Sequence, residues 1–260
     1  MIYLRSALFN VAFYLNLLIQ MIVLAPPAML LPSRFMVRVA RTWAATNLWL
    51  LRVICGTKVE WRGRDKIPPG ACLVASKHQS AWETFALFVL FPDPTIVLKR
   101  ELMWLAPFGW YMWKAGMIPV DRGAGKQALA KLIARTRAAL AKGRQVIVFP
   151  EGTRRPPGAE PDYKPGIAQL YAANSVPCLP IALNSGLYWP RRRLVRYPGT
   201  IRVEILDPIP AGLARNAFYR RLQEDIETAT RRLIAEGERE RAAHDPAKWN
   251  PVRRKDHASV

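Results

Sequence analysis

The chain has 260 residues, enough for one sizeable core with a small appendage. It carries a formal net charge of +20, from 39 Lys and Arg against 19 Asp and Glu, yet 51% of its residues are hydrophobic. That apolar content excludes a disordered basic chain and points to a folded core that faces an anionic partner, nucleic acid being one candidate.

Residues 7–25 form a 19-residue apolar run interrupted only by Asn10, Asn16 and Gln20, close to the ~20 residues that span a bilayer. Pro26, Pro27 and Pro32 break it. Ser33 then caps a second helix, from 34 to about 55, that stops at Gly56. This helix mixes Arg38, Arg41 and Arg52 with Trp43, Leu48, Trp49, Leu50 and Leu51, a composition that suits a membrane interface. No Asp or Glu precedes Glu60, while six Lys or Arg do. A signal peptide has a shorter apolar stretch and a more basic flank, and a soluble core hairpin carries more charge. Residues 1–56 therefore read as a membrane-anchoring helical hairpin. Its first helix either crosses the bilayer or dips in and returns, and the residues fit both.

From Thr57 strand-like and helix-like pieces alternate, which predicts an α/β fold, a mixed central sheet flanked by helices, over residues 57–236. Strands are expected at 57–61, 71–75, 95–98, 145–149, 178–183 and 201–206. The 101–116 segment is rich in aromatics (Trp104, Phe108, Trp110, Tyr111, Trp113), which form core or wall an apolar cleft. Residues 125–142 make an amphipathic helix with Leu129, Leu132, Ile133 and Leu140 in its stripe and Gly143 as its stop. A short helix starts at Gly166, and 216–235 is the closing helix. Residues 237–260 are charged and expected to be disordered. The three cysteines (Cys55, Cys72, Cys178) make no disulfide frame and no metal cluster, which fits a reducing compartment.

His78 is the one histidine in the body of the chain, since His244 and His257 lie in the polar tail. It follows the apolar run at 71–75 and precedes Glu83 by five residues. Two residues five apart within a helix diverge in direction. With His78 in a loop and a helix starting near Ser80, Glu83 instead falls in the first turn and can reach back to the ring nitrogen that faces away from substrate. That makes a base and its orienting acid. Ser80 and Glu83 also form a capping box, the structural reading of the same residues.

In open α/β sheets, ligands bind at loops leaving the carboxyl ends of strands. Besides the His78 loop, two others carry phosphate chemistry. One holds Lys99 and Arg100, with Arg122 a little later. The other holds Gly152, Thr153 and Arg154: a glycine for close approach, a hydroxyl and a guanidinium fork. Glu151 is out of place beside a phosphate; it either accepts from a substrate hydroxyl or steadies the loop. Trp189-Pro-Arg-Arg-Arg193 reads as a surface patch, or as a headgroup or acyl-carrier contact.

Together these stretches resemble the 1-acylglycerol-3-phosphate (lysophosphatidic acid) acyltransferase family. Lys77-His-Gln-Ser-Ala-Trp-Glu83 is similar to its histidine–four residues–acidic motif. The second motif matches Lys99-Arg-Glu-Leu102 through Gly116-Met-Ile-Pro-Val-Asp-Arg122, the third Phe149-Pro-Glu-Gly-Thr-Arg154 and the fourth Val176-Pro-Cys-Leu-Pro180. The resemblance spans roughly residues 57–206, with the motifs in the family's order. It implies that His78 is the general base on an acceptor's sn-2 hydroxyl and that Glu83 orients it. It also implies that Arg122, Gly152, Thr153 and Arg154 hold the acceptor's phosphate, helped by Lys99 and Arg100; Glu151 joins them as a substrate-binding candidate on its own reading above. The acyl donor is a thioester, acyl-CoA or acyl-carrier protein, and the product is phosphatidic acid, with no metal or bound cofactor. Glu83 departs from the aspartate usual in the family. With the hairpin, the resemblance implies a catalytic domain facing the cytoplasm on the inner membrane, with no nucleic-acid partner. Two alternatives stand: a related acyltransferase for another lysolipid such as a lyso-ornithine lipid, and a non-catalytic basic protein binding membrane or nucleic acid.

Overall fold

The structure is a computed structural model and describes residues 1–121 and 125–244. The N-terminal segment is longer than its apolar run predicts. Helix α1 (Ile2–Ile19) passes through one π-type turn, Gln20–Leu24, straight into α2 (Ala25–Leu30). Pro26 and Pro27 do not end it: they stand directly after the π-type turn, where the regular i→i−4 ladder is already interrupted. The chain turns at Leu31, which is extended, and α3 (Ser33–Leu50) returns through a second π-type turn, Leu51–Cys55. Gly56 closes that turn at φ 73°, the left-handed conformation that glycine adopts without a Cβ penalty.

Seven strands follow: β1 (Thr57–Arg62), β2 (Cys72–Ser76), β3 (Pro94–Lys99), β4 (Ile118–Val120), β5 (Gln145–Val148), β6 (Cys178–Leu183) and β7 (Gly199–Ile205). They form one sheet in the order β1-β7-β6-β2-β5-β3-β4. Of the pairings between these seven strands only β6–β7 is antiparallel, so the sheet is mixed, as expected. The central strands β2 and β5 are buried along their whole lengths, the pattern of a sheet covered on both faces.

Alternate residues of each strand face opposite layers. Cys72 and Val74 join a core with Phe9, Met36, Ala44 and α4 (Glu83–Ala86), so the hairpin is itself one layer over the sheet. Tyr111 and Met112 of α5 (Phe108–Lys114) pack at its margin. Leu73 and Ala75 face the other layer: α6 (Gly125–Leu140), α7 (Gly166–Ala172) and α8 (Arg215–His244).

The closing helix runs past Ala235 as far as His244, through residues expected to be disordered. Three of the charges there are held by the body of the fold. Glu236 pairs with Arg62 at 2.9 Å, Glu240 pairs with Arg202 at 2.8 Å, and Arg241 donates to the Leu187 carbonyl at 3.1 Å. His257 and the rest of 245–260 lie outside the described residues.

Candidate active site

Strands β2, β5 and β3 are neighbours and parallel, so their carboxyl ends open at one edge of the sheet. Two residues beyond β2 lies His78, and its Nδ1 is 2.9 Å from Glu83 Oε1. The same oxygen accepts the backbone N–H groups of Gln79 and Ser80, each at 2.6 Å, and Ser185 donates its hydroxyl to Oε2 at 2.8 Å. The carboxylate offers acceptors only, so Nδ1 carries a hydrogen, and Nε2 is the nitrogen that bears the lone pair whenever the ring is neutral. Ser80 Oγ meanwhile accepts the Trp82 N–H at 3.0 Å. Glu83 Oε1 thus holds the turn's amides and the ring together, while only half of the capping box forms, because Ser80 Oγ takes the Trp82 N–H rather than that of Glu83. The imidazole also stacks on Phe149, ring centroids 4.0 Å apart, which fixes its plane.

The ring lines a cleft of about 470 Å³ together with Lys99, Gly152, Thr153 and Arg154. The remaining wall is apolar. The hairpin supplies Leu17, Met21, Met36 and Trp43, α4 supplies Phe85, and the aromatic segment supplies Phe108 and Tyr111. Of the five aromatics singled out by sequence, then, two wall the cleft. The other three, Trp104, Trp110 and Trp113, are exposed rather than core. Gly152 stands at φ 65° in a turn closed by its N–H on the Phe149 carbonyl at 2.9 Å. An added Cβ meets nothing closer than 3.7 Å, so conformation, not space, calls for glycine here.

Other predicted residues fall elsewhere. Arg100 does not line the cleft; it pairs with Asp121 at 2.7 Å and lies over the Trp104 ring. Lys99, about half exposed, does line it and pairs with Glu101 at 3.0 Å. Arg122 lies outside the described residues. Glu151 is fully buried and points away from the cleft. Its Oε1 binds Lys77 Nζ at 2.9 Å and its Oε2 accepts the His78 backbone N–H at 3.1 Å. Burial pushes its carboxyl above the usual value against the pull of Lys77. Of its two readings the geometry favours the steadying of the loop. In the 189–193 patch Trp189 is buried beneath the Arg196 guanidinium, and Arg192 and Arg193 are exposed. Sequence reasoning passed over Ser185 and Lys77. Ser185 follows the carboxyl end of β6, so the strand-end rule that found the other loops applies to it as well.

The site brings together an oriented imidazole, an apolar trough and cationic groups beside the turn at Gly152. The acyltransferase family model matches residues 58–184. A 1-acyl-sn-glycerol-3-phosphate acyltransferase of Pseudomonas aeruginosa is 42% identical over 179 residues, covering 68% of this chain and 70% of that protein. The human 1-acyl-sn-glycerol-3-phosphate acyltransferase alpha is 29% identical over 238 residues, 88% of this chain and 83% of that one. In fold, the crystal structure of the 1-acyl-sn-glycerophosphate acyltransferase from Thermotoga maritima matches with a TM-score of 0.73 at 20% identity, covering 90% of this chain and 100% of its own. By the extent and identity of the Pseudomonas match, the chain belongs to the 1-acylglycerol-3-phosphate acyltransferase family.

Proposed function

We propose that the protein moves an acyl chain from acyl-CoA or acyl-carrier protein to the sn-2 hydroxyl of 1-acylglycerol-3-phosphate, giving phosphatidic acid. One observation carries the mechanism: the Glu83-tethered ring of His78 and the turn at Gly152, Thr153 and Arg154 open into the same cleft. The acceptor's phosphate sits against Arg154, Thr153 and Lys99, and its chain lies along the apolar wall. His78 Nε2 takes the sn-2 proton as the oxygen attacks the thioester carbonyl, forming a tetrahedral adduct. Collapse of the adduct breaks the C–S bond, and the thiolate leaves with the proton held by the imidazolium, so the ring returns to its starting state. The donor brings its own activated bond, and the sequence of steps balances without a resident cofactor or metal.

A positioned base contributes about 10²- to 10⁴-fold, and alignment of two bound reactants adds to that. The test is an acyl-transfer assay on purified protein in detergent, with 1-acylglycerol-3-phosphate, lyso-ornithine lipid and neutral lysolipids offered against both thioester classes. Product forms with the phosphate-bearing acceptor, and His78→Ala forms almost none while remaining folded. Preference for another lysolipid, or ordinary turnover in His78→Ala, overturns the reading.

A further inference from the structure

Beneath His78 lies a buried charge cluster that this mechanism does not use. The Lys77 ammonium, its side chain 3% exposed, sits between Glu151 Oε1 at 2.9 Å and Glu227 Oε1 at 2.6 Å. Tyr163 donates its hydroxyl to the same Glu227 oxygen at 3.0 Å and presents its ring to the ammonium at 5.9 Å. Three elements therefore meet at one ammonium: the loop after β2, the loop after β5, and α8. Glu227 lies 150 residues from Lys77 in sequence and outside the region the family model matches.

Charges removed from water must be paired with good geometry, and this requirement makes the cluster a mechanical link. An ammonium held by two carboxylates and an aromatic face has little freedom. A carboxylate is rigid, so fixing Glu151 Oε1 also fixes its Oε2, which holds the backbone N–H of His78 at 3.1 Å. Glu151 in turn is joined directly to Gly152 and the turn that carries Arg154. A displacement at Glu227 is therefore felt on both sides of the reacting hydroxyl. Glu227 itself does not line the cleft and touches neither the ring nor the cleft-lining turn.

We infer that Glu227 is a positioning residue for acyl transfer, which through Lys77 and Glu151 sets where His78 stands relative to the 152–154 turn. This rests on the reading of His78 as the base. The experiment compares full-length Glu227→Ala, Glu227→Gln, Tyr163→Phe and His78→Ala for kcat, acceptor and donor KM and melting temperature. In parallel, ¹⁵N-histidine labelling of protein carrying His244→Asn and His257→Asn isolates the His78 backbone amide signal. A misplacement of this kind costs on the order of 10²-fold in rate. In Glu227→Ala, kcat falls by about that factor with donor KM unchanged, and the His78 amide resonance moves upfield as its hydrogen bond lengthens. Glu227→Gln keeps an oxygen for Lys77 and Tyr163 and restores most of the rate and the resonance. Full kcat in folded Glu227→Ala overturns the inference, and so does a loss of kcat with the amide signal unmoved. If Glu227→Ala fails to fold, Tyr163→Phe decides: it removes one hydroxyl, keeps the ring under the ammonium, and lowers kcat with the same direction of shift, whereas a wild-type rate and signal overturn the link. Turnover in His78→Ala sinks the base assignment itself. A dead His78→Ala beside fully active Glu227 variants sinks only this inference.

Discussion

Glu83 concentrates four hydrogen bonds on one carboxylate, three of them on Oε1. Its donors are an imidazole, two backbone amides and a hydroxyl, so any replacement that brings its own N–H faces a donor. Glu83→Gln is expected to lower kcat by about 10²- to 10⁴-fold, the range lost when a base is left in the wrong tautomer or orientation. Ser185→Ala removes only the Oε2 partner; a hydrogen bond to a charged group is worth about 1.5–3 kcal/mol, so a milder loss of kcat follows, with melting temperature lowered. Equal rates for wild type and Glu83→Gln would contradict the orienting role. The local half of this arrangement was legible in sequence, because a capping box and a strand-end histidine are short-range signals. Ser185, 102 residues from Glu83, and the Lys77–Glu151 pair, 74 residues apart, come together only through strand order, which no local periodicity encodes. Glu151 is the instructive case. Its oddity beside a phosphate was visible, whereas its burial among Lys77, Glu227 and Tyr163 was not.

At the scale of elements, we propose from the hairpin's contacts that its first helix does not cross a bilayer. Ser6 accepts the Arg196 N–H at 2.9 Å, Asn10 donates to the Leu194 carbonyl at 2.8 Å, Phe9 meets Trp189, and Tyr111 donates to the Met21 carbonyl at 2.9 Å. These anchors extend over residues 6–21, about 22 Å of helix at 1.5 Å per residue. A helix that crossed a bilayer would leave the domain within a turn or two. The opposite face carries Leu4, Leu8, Val11, Leu15, Leu18 and Ile22, all exposed and spaced at i+3 and i+4. With exposed Trp104, Trp110 and Trp113 nearby on the α5 side, that stripe suits a helix lying in the plane of one leaflet, with indoles at its interface. Arg5 and Arg34, which bracket the first helical run, then lie on the same side. Cysteines at these two positions in sealed vesicles are expected to react with an impermeant maleimide from one face only, the same face for both; labelling from opposite faces would establish a crossing helix. The apolar run and the return helix were readable from composition. The continuation through Pro26 and Pro27 was not, since a proline pair looks like a break until the π-type turn before it is known.

Over the whole molecule, the formal charge of +20 is distributed unevenly between inside and outside. Glu83, Glu151 and Glu227 are buried in the site region, and Glu60, Glu204, Glu236 and Glu240 are engaged with Arg62, Arg202 and Arg232 along β1, β7 and α8. These seven of the 19 acids are engaged by the fold itself, while Arg38, Arg192, Arg193 and many other cations stay exposed. A surface of that kind is expected to draw the protein to an anionic bilayer, at about 1 kcal/mol for each Lys or Arg close to the headgroups. The apolar stripe of the hairpin acts on any bilayer, charged or neutral. The two contributions separate by ionic strength, because the Debye length shrinks from about 10 Å at 0.1 M salt to about 3 Å at 1 M. Vesicles with anionic lipid are therefore expected to bind the protein more tightly than neutral ones at low salt, and to lose most of that advantage near 1 M, where both fall to a common, hairpin-driven affinity. Acyl transfer to vesicle-borne acceptor follows the bound fraction. If binding to anionic vesicles were indifferent to salt, the exposed cations would have no part in docking, and the hairpin alone would account for the attachment.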